Sequence, residues 1–366
     1  MTTVFRPPRL AALAAGALAL GIALPAAAED WRFALEEIEG SVQDAYAQEF
    51  KRLIEERSDG EVTVTVYPYG ALGTSDELTE QAIDGIVQLT HASPGHLGTL
   101  VPEIQVFSIP YLLSQNNEVN QRLLTESPII YGPIADALRE SGLELLTMYP
   151  EGDMVWTTNR EIRSPEDFAN FRMRTMVSPM LVAAYESFGA SPTPLPYAEV
   201  YGALQLNMID GQVNPIFAIE EMGFYEVTDY MIWAGQQQFV TTVVAGADWY
   251  EGLPEDRREL LDGVVADMAD YIFETQEQYN QERLEIIREA KPDMVMIELT
   301  PEERAAFEER AQAVREQYVE MVGGDAQEIL DGLTAEIEAL ETDLGSEGES
   351  MTGGEGESAG EESGGG

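Results

Sequence analysis

Cysteine is absent from the 366 residues, and there are only two lysines (Lys51 and Lys291) and two histidines (His91 and His96). The lack of thiols removes disulfides, thiolate metal sites, iron–sulfur clusters and cysteine nucleophiles together. Two imidazoles are too few for a His-rich zinc site. Neither lysine follows a glycine, so a phosphate-binding Gly-Lys-Ser/Thr loop is impossible, and no G-x-G-x-x-G dinucleotide fingerprint is present. Positive charge is scarce throughout: 20 Lys and Arg face 67 Asp and Glu, a formal net charge of −47. Nucleic-acid binding is excluded on that ground, because holding phosphates takes a basic surface that releases counterions.

What is present is a globular composition, 44% apolar, with length for about two domains. Residues 1–28 read as an export signal: Arg6 and Arg9 form a basic start, Leu10 to Leu24 is an uncharged apolar run, and Ala26-Ala27-Ala28 is a small-residue cleavage site. Cleavage near Ala28 starts the mature chain at Glu29. No cysteine is available there for a lipid anchor, Pro7-Pro8 separates the two arginines so that no twin-arginine signal forms, and no later stretch is long and apolar enough to span a bilayer. A freely diffusing periplasmic protein, not itself membrane-embedded, is expected.

Removing the leader takes away two cations and no acid, so the mature chain stands at −49. Residues 345–366 add six acids, no base and many Gly and Ser, the composition of a disordered acidic tail. The body without that tail is still near −43, with its acids spread along the chain. Self-repulsion of this size is tolerable mainly where salt screens it, which points to a salt-loving source.

Between these ends, strand and helix patterns alternate, so the expected class is α/β. Trp31 to Leu35 and Glu61 to Tyr67 read as strands around an amphipathic Val42–Arg57. Ser75 to Ile83 reads as a helix with Glu77 loosely at capping-box spacing, and Ile86 to His91 and Leu143 to Tyr149 as buried strands. Ser164-Pro165-Glu166-Asp167 is a helix-start signature inside the polar connection Asn159 to Phe171. Pro254 to Ala290 keeps helical spacing for longer than an ordinary globular helix, long enough to lie across two lobes. Pro301 to Val322 and Ala326 to Leu340 add two more helices, with no internal repeat.

Few catalytic constellations survive. Ser93 lies between His91 and His96 but lacks the G-x-S-x-G elbow. Glu36, Glu37 and Glu39 offer the paired acids of glycoside chemistry, although in so acidic a chain a solvated strand end is the default reading. Arginine placement stands out more. Arg172 and Arg174 share one face of an apolar, strand-like Phe171–Thr175. A guanidinium fork binds a carboxylate through two parallel hydrogen bonds, and the alternatives are a ligand carboxylate for one of them or surface acids for both.

Five strings occur in order at compatible spacing: Ile162-Arg163-Ser164-Pro165-Glu166-Asp167-Phe168, Arg172-Met173-Arg174-Thr175, Gly189-Ala190-Ser191-Pro192-Thr193-Pro194, Glu199-Val200-Tyr201-Gly202-Ala203-Leu204-Gln205 and Asp210-Gly211-Gln212-Val213-Asn214-Pro215. Through them the chain resembles, over Glu29 to Leu340, the solute receptors of tripartite ATP-independent periplasmic (TRAP) transporters, the DctP type. Trp31 to Gly40, Ser93-Pro94-Gly95, Met148 to Gly152 and Thr175-Met176 are similar to the ectoine and hydroxyectoine receptors within that family. The resemblance implies a two-lobed periplasmic solute-binding protein with crossover strands and a long helix spanning both lobes, closing by hinge motion on a ligand in the cleft. Lobe I is expected over 29–153 plus 243–282, and lobe II over 154–242 plus 283–344.

By the same resemblance Arg174 binds a ligand carboxylate, Asn214 hydrogen-bonds that group, Glu37 holds a cationic amidine and Phe239 forms an aromatic wall. His96 and Tyr197 stand where the ectoine receptors carry Phe and Trp, and Met154 replaces the second arginine of sialic-acid receptors, which disfavours sialic acid. The residues alone add that Glu37 has the strand parity of Trp31, Phe33 and Leu35, at the carboxyl end where open α/β sheets bind ligands. On their own, Asn214 reads as a turn residue before Pro215, His96 as the end of a Gly-flanked loop, and Tyr197 and Phe239 as core aromatics.

The expected function is reception of a small carboxylate-bearing solute, an ectoine-like zwitterion ahead of a monocarboxylate such as an oxo acid or sugar acid, and its delivery to TRAP permease subunits. No reaction and no cofactor are expected. The alternative of a different class is a secreted carbohydrate-active hydrolase. The charge supplies a first prediction: because molar salt shortens the screening length to about 3 Å, the melting temperature should rise strongly from low to molar NaCl. A melting temperature independent of salt would contradict the salt-loving reading.

Overall fold

The first strand begins where the mature chain is expected to. A computed structural model describes Thr2 and residues 28–352, with side chains to Leu344, so the expected leader falls almost wholly outside the described residues. β1 (Glu29–Ala34) buries Trp31 and Phe33 and runs parallel to β2 (Val62–Tyr67). Between them lies α1 (Val42–Arg57), where Ser41 Oγ accepts the Asp44 N–H at 3.1 Å, and Asp44 and Arg57 complement the helix dipole at its two ends. Its Tyr46, Phe50 and Ile54, spaced at helical intervals, are fully buried.

In α2 (Ser75–Ile83) the Glu77 carboxylate accepts the Thr74 N–H at 2.7 Å, so the capping spacing that looked loose in sequence is used. β3 (Leu89–Ala92) starts three residues later than expected, with Ile86 left exposed. α3 (Pro94–Leu97), α4 (Asn117–Glu126) and α5 (Ala135–Glu140) lead to β4 (Leu143–Asp153), which runs past the anticipated end at Tyr149.

At Met154 the chain leaves this sheet for a second one. There β5 (Val155–Thr158), β6 (Arg172–Thr175), α6 (Pro179–Ser187), β7 (Ser191–Pro194), α7 (Val200–Gln205), β8 (Gly211–Asn214), α8 (Ile216–Glu221) and β9 (Tyr230–Trp233) follow, and Ser164–Pro165 starts only a single 3-10 turn before β6. The chain returns through β10 (Gln238–Gly246) and α9 (Ala247–Gly252), then runs through α10 (Glu255–Ala290), β11 (Val295–Glu298), α11 (Pro301–Val322) and α12 (Ala326–Thr352). The first sheet has strand order β2-β1-β3-β10-β4 and the second β11-β9-β5-β8-β6-β7.

The two crossings run side by side. β4 and β10 pair antiparallel from Asp153 with Gln238 to Leu143 with Gly246. At the junction the Met154 N–H donates to the Gln237 carbonyl at 2.9 Å, and Gln236 Nε2 donates to the Met154 carbonyl at 2.8 Å. α10 has 36 residues, about 54 Å of helix. Its Leu261, Val264, Met268 and Ile272 pack under the first sheet, and its Ile287 joins the core of the second.

Two anticipated lobe boundaries differ from the packing. The return crossing lies at 234–237, not 242, because all of β10 pairs within the first sheet. α12, expected with lobe II, instead packs Ile329, Leu333 and Ile337 among Val119, Leu123 and Leu124 of α4. α11 bridges, with Phe307 in the second core and Tyr318 in the first. The α12 backbone stays helical to Thr352, past the start of the expected tail at 345, and 353–366 lie outside the described residues.

Two glycines give predictions of opposite sign. A Cβ at Gly246 would stand 2.3 Å from the Ala82 carbonyl oxygen, a backbone atom with no room to give, whereas a Cβ at Gly263 in α10 meets open space. Gly246→Ala should destabilise by about 1–3 kcal/mol. Gly263→Ala should stabilise by about 0.5–1 kcal/mol through helix propensity. Urea melts of both variants check the pair.

Candidate ligand-binding cleft

The carboxyl ends of strands from both sheets meet around a space of about 430 Å³ lined by Glu36, Glu37, His96, Arg174, Tyr197, Asn214 and Phe239. All six residues singled out as ligand contacts from the sequence are in this set. Lobe I contributes Glu36 and Glu37 from just beyond β1 and His96 from α3. Lobe II contributes Arg174 from β6, Tyr197 from the turn before α7 and Asn214 from the end of β8. Phe239 comes from the start of β10, just after the return crossing.

Arg174 is 2% exposed. Its Nε and Nη2 both donate to the Leu195 carbonyl, at 3.0 and 2.8 Å, and among the described residues no carboxylate forms an ion pair with it. Burial lowers its pKa to about 10, with Tyr197 and Tyr69 opposing the shift. Arg172, two residues earlier, has the surface fate: Nε and Nη2 grip both oxygens of Asp210, at 2.9 and 2.6 Å. The choice left open by the sequence is thus split, with a surface acid for Arg172 and none for Arg174. Beside Arg174, the Asn214 amide donates to Gln212 Oε1, whose own amide donates to Thr157 Oγ1 at 2.8 Å. This chain fixes Asn214 as more than a turn residue before Pro215.

On the opposite wall the expectation of a solvated strand end is overturned, because Glu36 and Glu37 are each only 7% exposed. The parity argument fails with it: β1 stops at Ala34, the chain bends, and neighbouring residues reach the same space. Gln43, in the first turn of α1, holds this bend by accepting the Glu36 N–H at 2.9 Å and donating its own N–H to Glu37 Oε2 at 3.3 Å. Glu36 Oε2 accepts the Ser93 N–H at 2.8 Å, while Oε1 is buried without a hydrogen-bond partner. Burial raises the pKa of both carboxyls, and for Glu37 the adjoining Glu151 raises it further.

His96 Nδ1 is 3.5 Å from Asp76. Burial pulls its pKa down, but Glu36 and Asp76 outweigh that and hold it above the ordinary value. Tyr197 packs edge-on to Tyr69 of lobe I at 6.0 Å and to Phe224 of lobe II at 5.9 Å. Phe239 rests on the second lobe's core. Both are therefore part core and part cleft wall. His91 and Ser93 form no nucleophile–base pair: His91 Nε2 is 2.7 Å from the Tyr149 hydroxyl, and burial depresses its pKa to about 3.

The lobes touch at the cleft rim, where a Cβ on Gly95 would lie 2.5 Å from Met176 Cε and Gln105 Oε1 accepts the Met180 N–H at 3.3 Å. Gln43 and Glu151 carried no role in the sequence reading. Glu151 had one available signal, an acid between Pro150 and Gly152 inside an apolar strand, a pattern that marks a bulge. Gln43 had none.

Comparison with known proteins agrees with this geometry. Residues 33–321 match the family model of the bacterial extracellular solute-binding proteins, family 7, or DctP. The chain is 43% identical over 328 residues to the ectoine-binding periplasmic protein TeaA of Halomonas elongata, and 41% identical over 328 residues to the ectoine/5-hydroxyectoine-binding periplasmic protein UehA of Ruegeria pomeroyi. Each match covers 90% of this chain and 96% of the relative. The structure of the ectoine-binding protein of the Halomonas elongata TeaABC TRAP transporter superposes with a TM-score of 0.82 at 44% identity, over 85% of this chain and 100% of that one. The chain belongs to the DctP family, family 7 of the bacterial extracellular solute-binding proteins.

Proposed function

We propose that this protein is the periplasmic receptor of a TRAP transporter, that it takes up a compact zwitterion with ectoine as the reference ligand, and that it hands the solute to a membrane permease. The charge layout of the cleft carries this reading: a buried arginine with no acid beside it on one lobe faces buried glutamates on the other. A ligand carboxylate completes the Arg174 fork, with Asn214 as a second donor. A delocalised cation at the ligand's other end neutralises Glu37, while Phe239 and Tyr197 cover the apolar ring between them. Bridging both lobes, such a ligand favours the closed arrangement in which Gly95 meets Met176.

A simple dianion fits this layout poorly, since its second carboxylate would be set against Glu36 and Glu37. The names of the relatives support the zwitterion, as TeaA and UehA are ectoine receptors. No helix among the described residues is long and apolar enough to cross a membrane, so transport requires a separate permease. The reading needs no reaction and no cofactor.

Two substitutions test the two ends of the ligand. Arg174→Ala leaves the solute carboxylate buried and unpaired, which costs about 3–5 kcal/mol, so ectoine should bind hundreds-fold more weakly. Arg172→Ala should leave affinity unchanged, because that side chain serves Asp210. Glu37→Gln should weaken a zwitterion by about 2 kcal/mol or more and tighten a simple monocarboxylate. Calorimetry with ectoine and with an oxo acid reads both. Equal affinity of wild type and Arg174→Ala would remove the arginine from the site, and tighter binding by Glu37→Gln would replace the zwitterion with a monocarboxylate.

A further inference from the structure

Glu151 stands behind Glu37, and none of the cleft chemistry above uses it. It lies where the β4–β10 ladder loses register: Phe239 faces Gly152 and Val240 faces Pro150, which makes Glu151 the extra residue of a β-bulge. A bulge re-aims its side chain, and this one is locked from the long helix. Asn280 Nδ2 of α10 donates to the Glu151 carbonyl at 2.8 Å, and a Cβ on Gly152, whose φ is +121°, would come within 2.4 Å of that amide nitrogen.

The fully buried Glu151 carboxyl thereby turns toward the floor of the cleft, where Gln43 Nε2 donates to Oε1 at 3.1 Å and Oε2 has no partner. Through Gln43 it is joined to Glu37: the Gln43 backbone N–H donates to Glu37 Oε2 at 3.3 Å, so one glutamine holds a carboxyl oxygen of each acid. Like charges gathered on one glutamine in a buried site resist ionising together, so the pair retains one proton.

Among the described residues no nearby cation is free to neutralise the pair. His96 lies between Glu36 and Asp76. Arg283 of α10 is 3.4 Å from Glu220 and 3.6 Å from Glu221. Arg174 is held by Leu195 across the cleft. The other titratable groups acting on the pair are the acids Glu36 and Glu221 of α8 and the phenols Tyr149 and Tyr197. The two acids make a second negative charge at Glu37 and Glu151 harder to hold, and the phenols, kept neutral by burial, supply no countercharge.

We infer that Glu37 and Glu151 form one two-carboxyl cation subsite, which keeps a shared proton while no cation is present and releases it to solvent when the cationic end of a ligand enters. Glu151 thus acts through Glu37 as a specificity-determining residue: a cation replaces the proton, whereas a neutral or anionic group cannot. The inference rests on the zwitterion reading for its ligand half, and its shared proton can be tested without ligand. Burial places both carboxyls above the ordinary glutamate range. With one proton released per ligand, affinity rises up to about tenfold per pH unit below the titration of the pair and levels off above it.

Infrared difference spectra of the ligand-free protein at neutral pH test the first half. Glu37→Gln and Glu151→Gln should each remove the same protonated-carboxyl band, because either change abolishes the one shared proton. If neither variant alters that band, the inference is overturned. Calorimetry with ectoine in buffers of different protonation enthalpy tests the second half. At mildly acidic pH the wild type should release about one proton per ectoine bound and Glu151→Gln about none, while Glu151→Asp, which keeps the acid, should restore release. Equal release from wild type and Glu151→Gln also overturns it. Failure of the wild type to bind ectoine would instead sink the zwitterion reading, leaving the infrared result to decide the shared proton.

Discussion

A buried guanidinium with no carboxylate beside it is the constraint on which the rest of the cleft depends. Removing an ion from water is costly unless it is paired, and among the described residues Arg174 donates only to the Leu195 carbonyl. In a chain with 67 acids, keeping all those of the described residues out of an ion pair with one arginine requires construction. Other arginines show the ordinary outcome: Arg172 grips Asp210, Arg163 reaches Glu161 and Glu303, and Arg257 reaches Glu61. Arg174 escapes because β6 sits inside its sheet between β8 and β7 and delivers the side chain to the strand ends, where the acids belong to the other lobe.

Separation of charge is therefore a consequence of architecture. Glutamates fixed by the end of β1 and the first turn of α1 cannot relax toward an arginine fixed by β6 unless the lobes move as bodies. The crossing strands and α10 are what join the two walls. The stitching of Met154 to Gln236 and Gln237 holds the crossings together, and Asn280 ties α10 to the bulge at Glu151. The same bulge sets Glu151 behind Glu37 and leaves Phe239 facing Gly152, so one irregularity in a ladder shapes both the acid floor and an aromatic wall.

Most of the remaining charge is not used in this way. Surface pairs such as Arg52 with Glu49 and Glu56, or Arg288 with Glu285, join neighbours on one helix face and contribute little each. The net charge near −43 over the body is borne mostly by acids outside the buried set, where screening decides its cost. Buried acids and exposed acids thus follow different rules within one composition, and composition alone does not tell them apart.

Local periodicity determined much of the fold. The bounds of α1, α2 and α11 agree with the helical spacing, and the long α10 was visible as a run, because capping residues and 3.6-residue periodicity are local properties. The family pattern brought Arg174, Asn214, Glu37, Phe239, Tyr197 and His96 together in advance, and the structure gathers them around one space. The sequence did not determine the burial of Glu36, since strand parity holds only while a strand continues and β1 ends at Ala34. Nor did it determine the docking of α12 on α4, because an amphipathic face does not name its partner. The pairing of Glu37 with Glu151 through Gln43 joins residues 114 positions apart in the chain. Only the tertiary structure decided it, because the desolvation that makes two acids share a proton exists only once the sheets and helices around them have closed.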